Sequence, residues 1–288
     1  MPPVTVVTDT TGYLPKEVAR ANQIELVSLY VNFAGERTVR EADITDYDAF
    51  YEDLRNSSTL PTTSQPAVGD FLEIYEPLLE QGRDIVSIHI SGGLSGTCEA
   101  ARQAVEALQR DGHDGRVRVI DSETAAGGLG LVALAAARAA ERGAELDEVE
   151  ATARDARAGL NIWFAIDTLE YVRRGGRIGA AGAWIGSTLK IKPILTLESE
   201  ITPVERVRTR GKAFERLLDY ARRRHADGAD GWAVQHIRSE EQAQRLVDQC
   251  REIFGCEPAM VSEVGPVLGV HTGPGLLGVG GIPRDLLE

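Results

Sequence analysis

Four stretches of this 288-residue chain gather side chains that could hold or transform an anion. The first is His89-Ile90-Ser91-Gly92-Gly93-Leu94-Ser95-Gly96-Thr97. It follows an apolar run over 85–88 and precedes a segment whose Ala101, Ala104, Val105 and Leu108 recur at helical spacing. A strand feeding a Gly/Ser turn that opens a helix sets backbone N–H groups and small hydroxyls at the positive end of the helix dipole. That arrangement suits a carboxylate or a phosphate; it is also how an α/β chain simply joins strand to helix. The second stretch, Asp9-Thr10-Thr11-Gly12, ends another apolar run. The third, Arg173-Arg174-Gly175-Gly176-Arg177, offers guanidinium groups that grip oxyanions in a fork, although basic residues before glycine also end helices. In the fourth, Gly269 to Gly275, His271 stands on a Gly/Pro-rich segment whose backbone can turn tightly.

Several chemistries can be tested against these residues. There is no G-x-x-x-x-G-K-[ST], and the turn at 92–96 lacks the spacing of G-x-G-x-x-G, so nucleotide binding of those two kinds is not expected. The nucleophile elbow G-x-S-x-G fails at Thr97, and an aspartate phosphatase needs a second acid where Thr11 stands. A hydrolase or phosphatase using Ser95 or Asp9 as nucleophile, with His271 as base, is therefore the alternative reading. Its mark would be turnover lost in Ser95→Ala or Asp9→Asn. Five scattered histidines give no metal-ligand pair, and no metal is expected. Cys98, Cys250 and Cys256 fit neither a disulfide framework nor a C-x-x-C pair, which suits a reducing compartment. Arg206, Arg208, Arg210 and Lys212 form the densest basic cluster, either a solvated face or a docking patch for an acidic partner.

The elements that must position these groups follow from hydrophobic periodicity. Strands are predicted over 4–8, 24–31, 85–88 and 117–120, and helices over 15–22, 68–79, 127–142 and 146–158. Alternating strand, polar tip and helix reads as a parallel sheet covered on both faces, whose carboxyl edge would collect Asp9-Thr10, Ser91 to Ser95 and Asp121-Ser122. Between them, Pro61 and Pro66 bar the Ser/Thr loop at 56–66 from helix or central strand and leave its hydroxyls available. Beyond 158 come strands over 162–166, 232–237 and 259–264, a short helix from about 168, an apolar region at 180–197 with Lys190 and Lys192, and helices over 211–226 and 239–254. The fold expected is α/β in two domains: a Rossmann-like parallel sheet with helices on both faces over 1–158, and an α+β domain over 159–288. The net charge of −13 supports the division, since 1–158 holds 14 basic and 27 acidic residues and 159–288 holds 17 of each. An acidic half makes nucleic acid an unexpected partner. No apolar run reaches about 18 residues, and Met1-Pro2-Pro3 enters a strand directly, so neither membrane insertion nor export is expected; the expected location is cytoplasmic.

Val7 to Thr11, Thr63-Ser64-Gln65-Pro66, Ser91 to Thr97, Val119 to Ser122, Asp167 to Gly179, Ile191 to Leu195, Val207 to Arg210 and Gly269 to Gly275 occur in an order that resembles the DegV family across essentially the whole chain. The characterised members of that family are fatty-acid-binding subunits of bacterial fatty acid kinase. The resemblance implies a long-chain acyl tail in an apolar tunnel, with its carboxylate at the seam of two domains. It carries the carboxylate anchors to Thr63 and Ser95, with Gly96 beside them, and brings Arg173 and His271 close. Which of Arg173, Arg174 and Arg177 faces inward it leaves open. It further implies a carrier without catalysis or cofactor that presents the carboxylate to a separate kinase for acyl phosphate formation. For such a kinase, Arg206, Arg208 and Arg210 are the candidate docking face. The chain departs from the family at Cys98, where many relatives carry Tyr, and at Gly92, often Ser; neither removes an anchor hydroxyl. Hydroxyl and N–H donors can satisfy a buried carboxylate, and each buried CH₂ adds about 0.8 kcal/mol, so the assignment is physically coherent.

Overall fold

The computed structural model describes residues 3–33, 37–57, 59–110, 112–113, 115–184 and 191–288; Lys190 lies outside them. The first part of the chain runs β1 (Val4–Asp9), α1 (Lys16–Ala21), β2 (Glu25–Val27), β3 (Tyr30–Phe33), β4 (Arg37–Arg40), α2 (Tyr47–Asn56), β5 (Thr62–Ser64), α3 (Val68–Glu80), β6 (Asp84–His89), α4 (Thr97–Arg110), β7 (Val117–Asp121), α5 (Ala126–Glu141) and α6 (Leu146–Gly159). The second runs β8 (Asn161–Ala165), α7 (Glu170–Arg174), β9 (Lys192–Glu198), β10 (Glu200–Val207), α8 (Arg210–Ala226), β11 (Gly231–His236), α9 (Glu240–Phe254), β12 (Met260–Glu263), α10 (Pro266–Thr272) and β13 (Leu277–Ile282).

Strands β2-β1-β6-β7 pair in parallel, in that order. Their side chains alternate between two helical layers, as the two-residue period of a strand requires. Val7 and Ile85 join Phe71, Tyr75 and Ala101 under α3 and α4, while Val6, Val86 and Ile88 join the cluster around α5. The second sheet, β10-β9-β8-β13-β11-β12, is mixed, with β11 and β12 parallel and its other pairs antiparallel. Helices α8 and α9 cover its far face, where Trp232 stacks on Phe254 at 5.2 Å and Trp163 on Tyr220 at 4.8 Å. The α/β architecture, one parallel and one mixed sheet with helical layers, is the one expected.

Helix α5 lies between the two sheets, packing on β1 and β6 on one side and on β11 and β13 on the other. A helix enclosed on all sides has no use for a polar face, and two sheets can approach it only if its side chains are small. That is the physical reason for Gly128-Leu129-Gly130-Leu131-Val132-Ala133-Leu134-Ala135-Ala136-Ala137, buried throughout. At Gly130 an added Cβ would stand 2.6 Å from Met260 Cε and 3.1 Å from the Gly12 carbonyl.

One expectation changes. The strand predicted over 24–31 is two strands in different sheets, because the chain turns at Ser28-Leu29, where the buried Leu29 takes the Glu41 N–H on its carbonyl at 2.8 Å. The Ser/Thr loop contributes β5, a three-residue edge strand in a small β4-β3-β5 sheet. Pro61 and Pro66 flank it, which is compatible with an edge.

Candidate ligand cavity and its polar end

Strands β5, β8, β11 and β13, the turn after β6, and the starts of α5 and α10 wall a single cavity. It leaves about 120 Å³ open to the centres of water-sized molecules, roughly ten times what one buried water needs, so it is no packing defect. Most of its wall is aliphatic or glycine: Ile90, Leu94, Val267, Gly278 and Gly280 are representative, with Phe164 beside them.

Polar groups collect from Thr63, Ser95, Arg177 and His271. Thr63 Oγ1 and His271 Nε2 are hydrogen-bonded at 2.8 Å, and Ser95 Oγ shares a 2.8 Å bond with Thr97 Oγ1. Burial and the positive charge of Arg177 lower His271 to about 4, against the opposing Gly175 backbone, so the ring is neutral near pH 7 and can orient the Thr63 hydroxyl. Arg177 is fixed by donating from Nη1 to Gly175 O (2.8 Å) and from Nε to Leu94 O (3.3 Å).

The expected site residues do not all lie on the cavity wall. Arg173 is not on the cavity wall: on the outer side of α7 it pairs with Glu170 one turn back, at 2.7 Å; of the three arginines it is Arg177, itself exposed, that lines the cavity. The chain can bring Arg177 back because Gly176 adopts φ 72°, a left-handed conformation that glycine reaches without strain. Gly96 is not part of the wall; an added Cβ there would stand 2.8 Å from Gln65 Nε2, so its role is to admit the Gln65 amide, which does line the cavity. Four N–H groups of the turn, those of residues 92–95, already have partners. Gly92 donates to Asp121 (3.0 Å), Gly93 to Ser91 Oγ (3.1 Å), and Leu94 and Ser95 to the Ser91 carbonyl (3.0 and 3.1 Å). Ser91 in turn donates to Ser199 O at 2.6 Å. These bonds hold the turn's shape, and Ser95 lines the cavity.

The hydrolase alternative meets two obstacles. Asp9 is fully buried and accepts from Thr11 N (3.0 Å), Thr11 Oγ1 (2.5 Å) and Ile90 N (2.9 Å), which ties the tip of β1 to that of β6. Together with His89 and Ser87 it forms an Asp-His-Ser chain (3.1 and 2.7 Å), but all three are enclosed and Tyr75 OH donates to Ser87 Oγ at 2.6 Å. Among the described residues, Ser95 has no hydrogen bond to His271, whose Nε2 is taken by Thr63.

One positioning residue has no sequence signal beyond an acidic turn. Glu41, 3 % exposed, accepts from Thr10 Oγ1 (2.5 Å), Tyr13 OH (2.8 Å) and Val267 N (2.7 Å), clamping the start of the helix that carries His271. Burial pushes it up to about 7 while its three donors hold it down. Elsewhere, His236, Glu240 and Glu263 converge within 4.8 Å, but Arg238 bonds both carboxylates at 3.2 and 3.4 Å and supplies the countercharge a metal would. Of the basic cluster, Arg210 pairs with Asp167, Arg206 lies 5.3 Å above the Trp184 ring, and Arg208 is exposed.

Fold and cavity define a class: α/β proteins with a parallel and a mixed sheet and a largely apolar cavity into which a few polar side chains reach. The family model described as uncharacterised protein, DegV family, matches residues 3–284. A DegV domain-containing protein of Streptomyces coelicolor is 42% identical over 279 residues, 96% of this chain and 97% of that one. Among solved structures, a Thermus thermophilus DegV family protein described for fatty acid binding superposes with a TM-score of 0.87 at 33% identity, covering 98% of this chain and 100% of that one. A stearic-acid-binding protein of Eubacterium ventriosum gives a TM-score of 0.89 at 25% identity, covering 97% and 98%. This chain belongs to the DegV family. No helix among its described residues is long and apolar enough to cross a membrane.

Proposed function

We propose that the chain binds a long-chain fatty acid in this cavity, its carboxylate held by Ser95 and Thr63 with Arg177 and His271 beside them. The observation that carries the reading is the cavity itself: an apolar enclosure whose hydroxyls, neutral imidazole and single guanidinium gather from separate elements. The fatty-acid-binding relatives support it. In this reading residues 1–158 contribute the anchor hydroxyls, and residues 159–288 wrap most of the acyl chain and add Arg177 and His271. Mass spectrometry of denatured, freshly purified protein should release a long-chain fatty acid. Recovery of none, with no uptake of added oleate or palmitate, would overturn the reading.

The carrier holds the acid for a separate kinase, which forms the acyl phosphate; the chain itself does no chemistry and needs no cofactor. Arg206 and Arg208 are the docking face, since Arg210 is committed to Asp167. Charge reversal at Arg206 and Arg208 should depress kinase-dependent acyl phosphate formation while fatty acid binding persists. Equal phosphorylation of variant and parent would exclude that face.

A further inference from the structure

The cavity has a second polar station on residues other than the carboxylate anchor. Gln235, on β11, is 4 % exposed and lines the wall. Its amide orientation is set by its partners: Nε2 donates to Gly12 O (3.3 Å) and Ser262 Oγ (2.7 Å), using both hydrogens. A carbonyl oxygen such as Gly12 O can only accept, so the amide cannot be turned over. Oε1 therefore has to face elsewhere, and among the described residues it has no hydrogen-bond partner.

What Oε1 faces is the beginning of α5. An added Cβ on Gly127 would stand 3.2 Å from it, and Ala125, Ala126, Gly127 and Gly128 all line the same cavity. That helix end has no side-chain cap and no acid in its first turn. A buried acceptor thus stands beside uncapped N–H donors on the wall of an apolar cavity. Leaving a buried acceptor unpaired is unfavourable, and a hydrocarbon offers it nothing. A hydroxyl answers both sides, donating its hydrogen to Oε1 and accepting from a backbone N–H at the positive end of the helix. A ketone or a double bond has no hydrogen to give.

We propose that this station selects an acyl ligand carrying a hydroxyl along its chain, a hydroxy fatty acid. The proposal rests on the reading of the cavity as a fatty acid site and names the ligand more closely. Gly127 leaves room for the hydroxyl that any side chain would take.

Delipidated protein is titrated with stearate and with a positional series of monohydroxystearates, the hydroxyl walking from near the carboxyl to the penultimate carbon. Because a site built to bond a hydroxyl rejects the analogue lacking it, at least one isomer should bind about tenfold or more tighter than stearate. In Gln235→Leu that ratio should fall to about one or below. Gly127→Ala, whose Cβ would stand 3.2 Å from Oε1 and take the station's space while the Gln235 side chain remains, should do the same and guards against a folding defect specific to the first variant. If stearate binds at least as tightly as every isomer, an ordered water satisfies Gln235 and the proposal is overturned while the fatty acid reading stands. If neither stearate nor any isomer binds, the fatty acid reading itself fails.

Discussion

Ser95 and Thr63 reach the cavity in different company. Thr63 shares its oxygen with a neutral imidazole from another element, while Ser95 shares its own with the neighbouring Thr97 hydroxyl. A hydrogen bond to a charged group contributes about 1.5–3 kcal/mol. Ser95→Ala should therefore weaken fatty acid binding by roughly tenfold to a hundredfold, read by displacement of a fluorescent fatty acid. Arg177→Ala should weaken it too, whereas Arg173→Ala should stay within about twofold, because Arg173 belongs to an exposed pair of the kind that adds little. Parity between the two arginine variants would mean the inward assignment is wrong. The residue types at this site were legible in the chain: small hydroxyls at strand tips and a histidine among glycines announce donors for an anion. Which arginine turns inward was not, since three guanidiniums within five positions differ only in the path of the backbone after Gly175.

At the scale of elements, α10 is controlled from both ends. Glu41 holds its first turn and His271 sits in its last. Glu41, raised from 4.5 to about 7, keeps a proton in the folded protein that the unfolded chain releases above about 4.5; its stabilising contribution is whole at low pH and lost as pH climbs through 7. His271, lowered from 6.5 to about 4, acts in the opposite sense: its penalty is absent above about 6.5 and grows as pH falls towards 4. Glu41→Gln removes only the first effect. Urea unfolding should then show the stability advantage of the parent over this variant shrinking by up to about 3 kcal/mol between pH 4.5 and pH 7.5. An advantage independent of pH would contradict the titration of Glu41. For α5 the expectation is steric: Gly130→Val would press on Met260 and the Gly12 carbonyl and should cost about 1–3 kcal/mol, measured the same way. An unchanged unfolding midpoint would show that the two sheets are not closed on α5.

At the scale of the molecule, the cavity is walled by the mixed sheet, by β5 of the small sheet, and by the turn after β6 and the start of α5, so an acyl chain bound there would touch elements from both parts of the chain and should stabilise them together. Stearate at about a hundredfold excess over its dissociation constant adds about 2.7 kcal/mol by mass action, which should raise the melting temperature of delipidated protein by roughly 5 °C. No shift at that excess would argue that the chain binds outside the interior. The mixed sheet and its helices were readable as alternating elements, and the Ala/Gly/Leu-rich run 127–142 was readable as a helix. Its position between two sheets was not, because periodicity reports how much of a helix is buried and not what buries it.

Local chemistry determined much of this protein from its sequence alone. Glycine and serine at a strand tip make a turn before a helix, prolines confine a hydroxyl loop to an edge, and alternating apolar runs make an α/β fold, since each depends on neighbours a few residues away. Tertiary structure alone decided the rest. Thr63 meets His271 across 208 positions, Glu41 meets Val267 across 226, and the Gln235 amide meets Gly12 across 223. Contacts over such separations are chosen by how two sheets close on one helix, and no spacing along the chain encodes them.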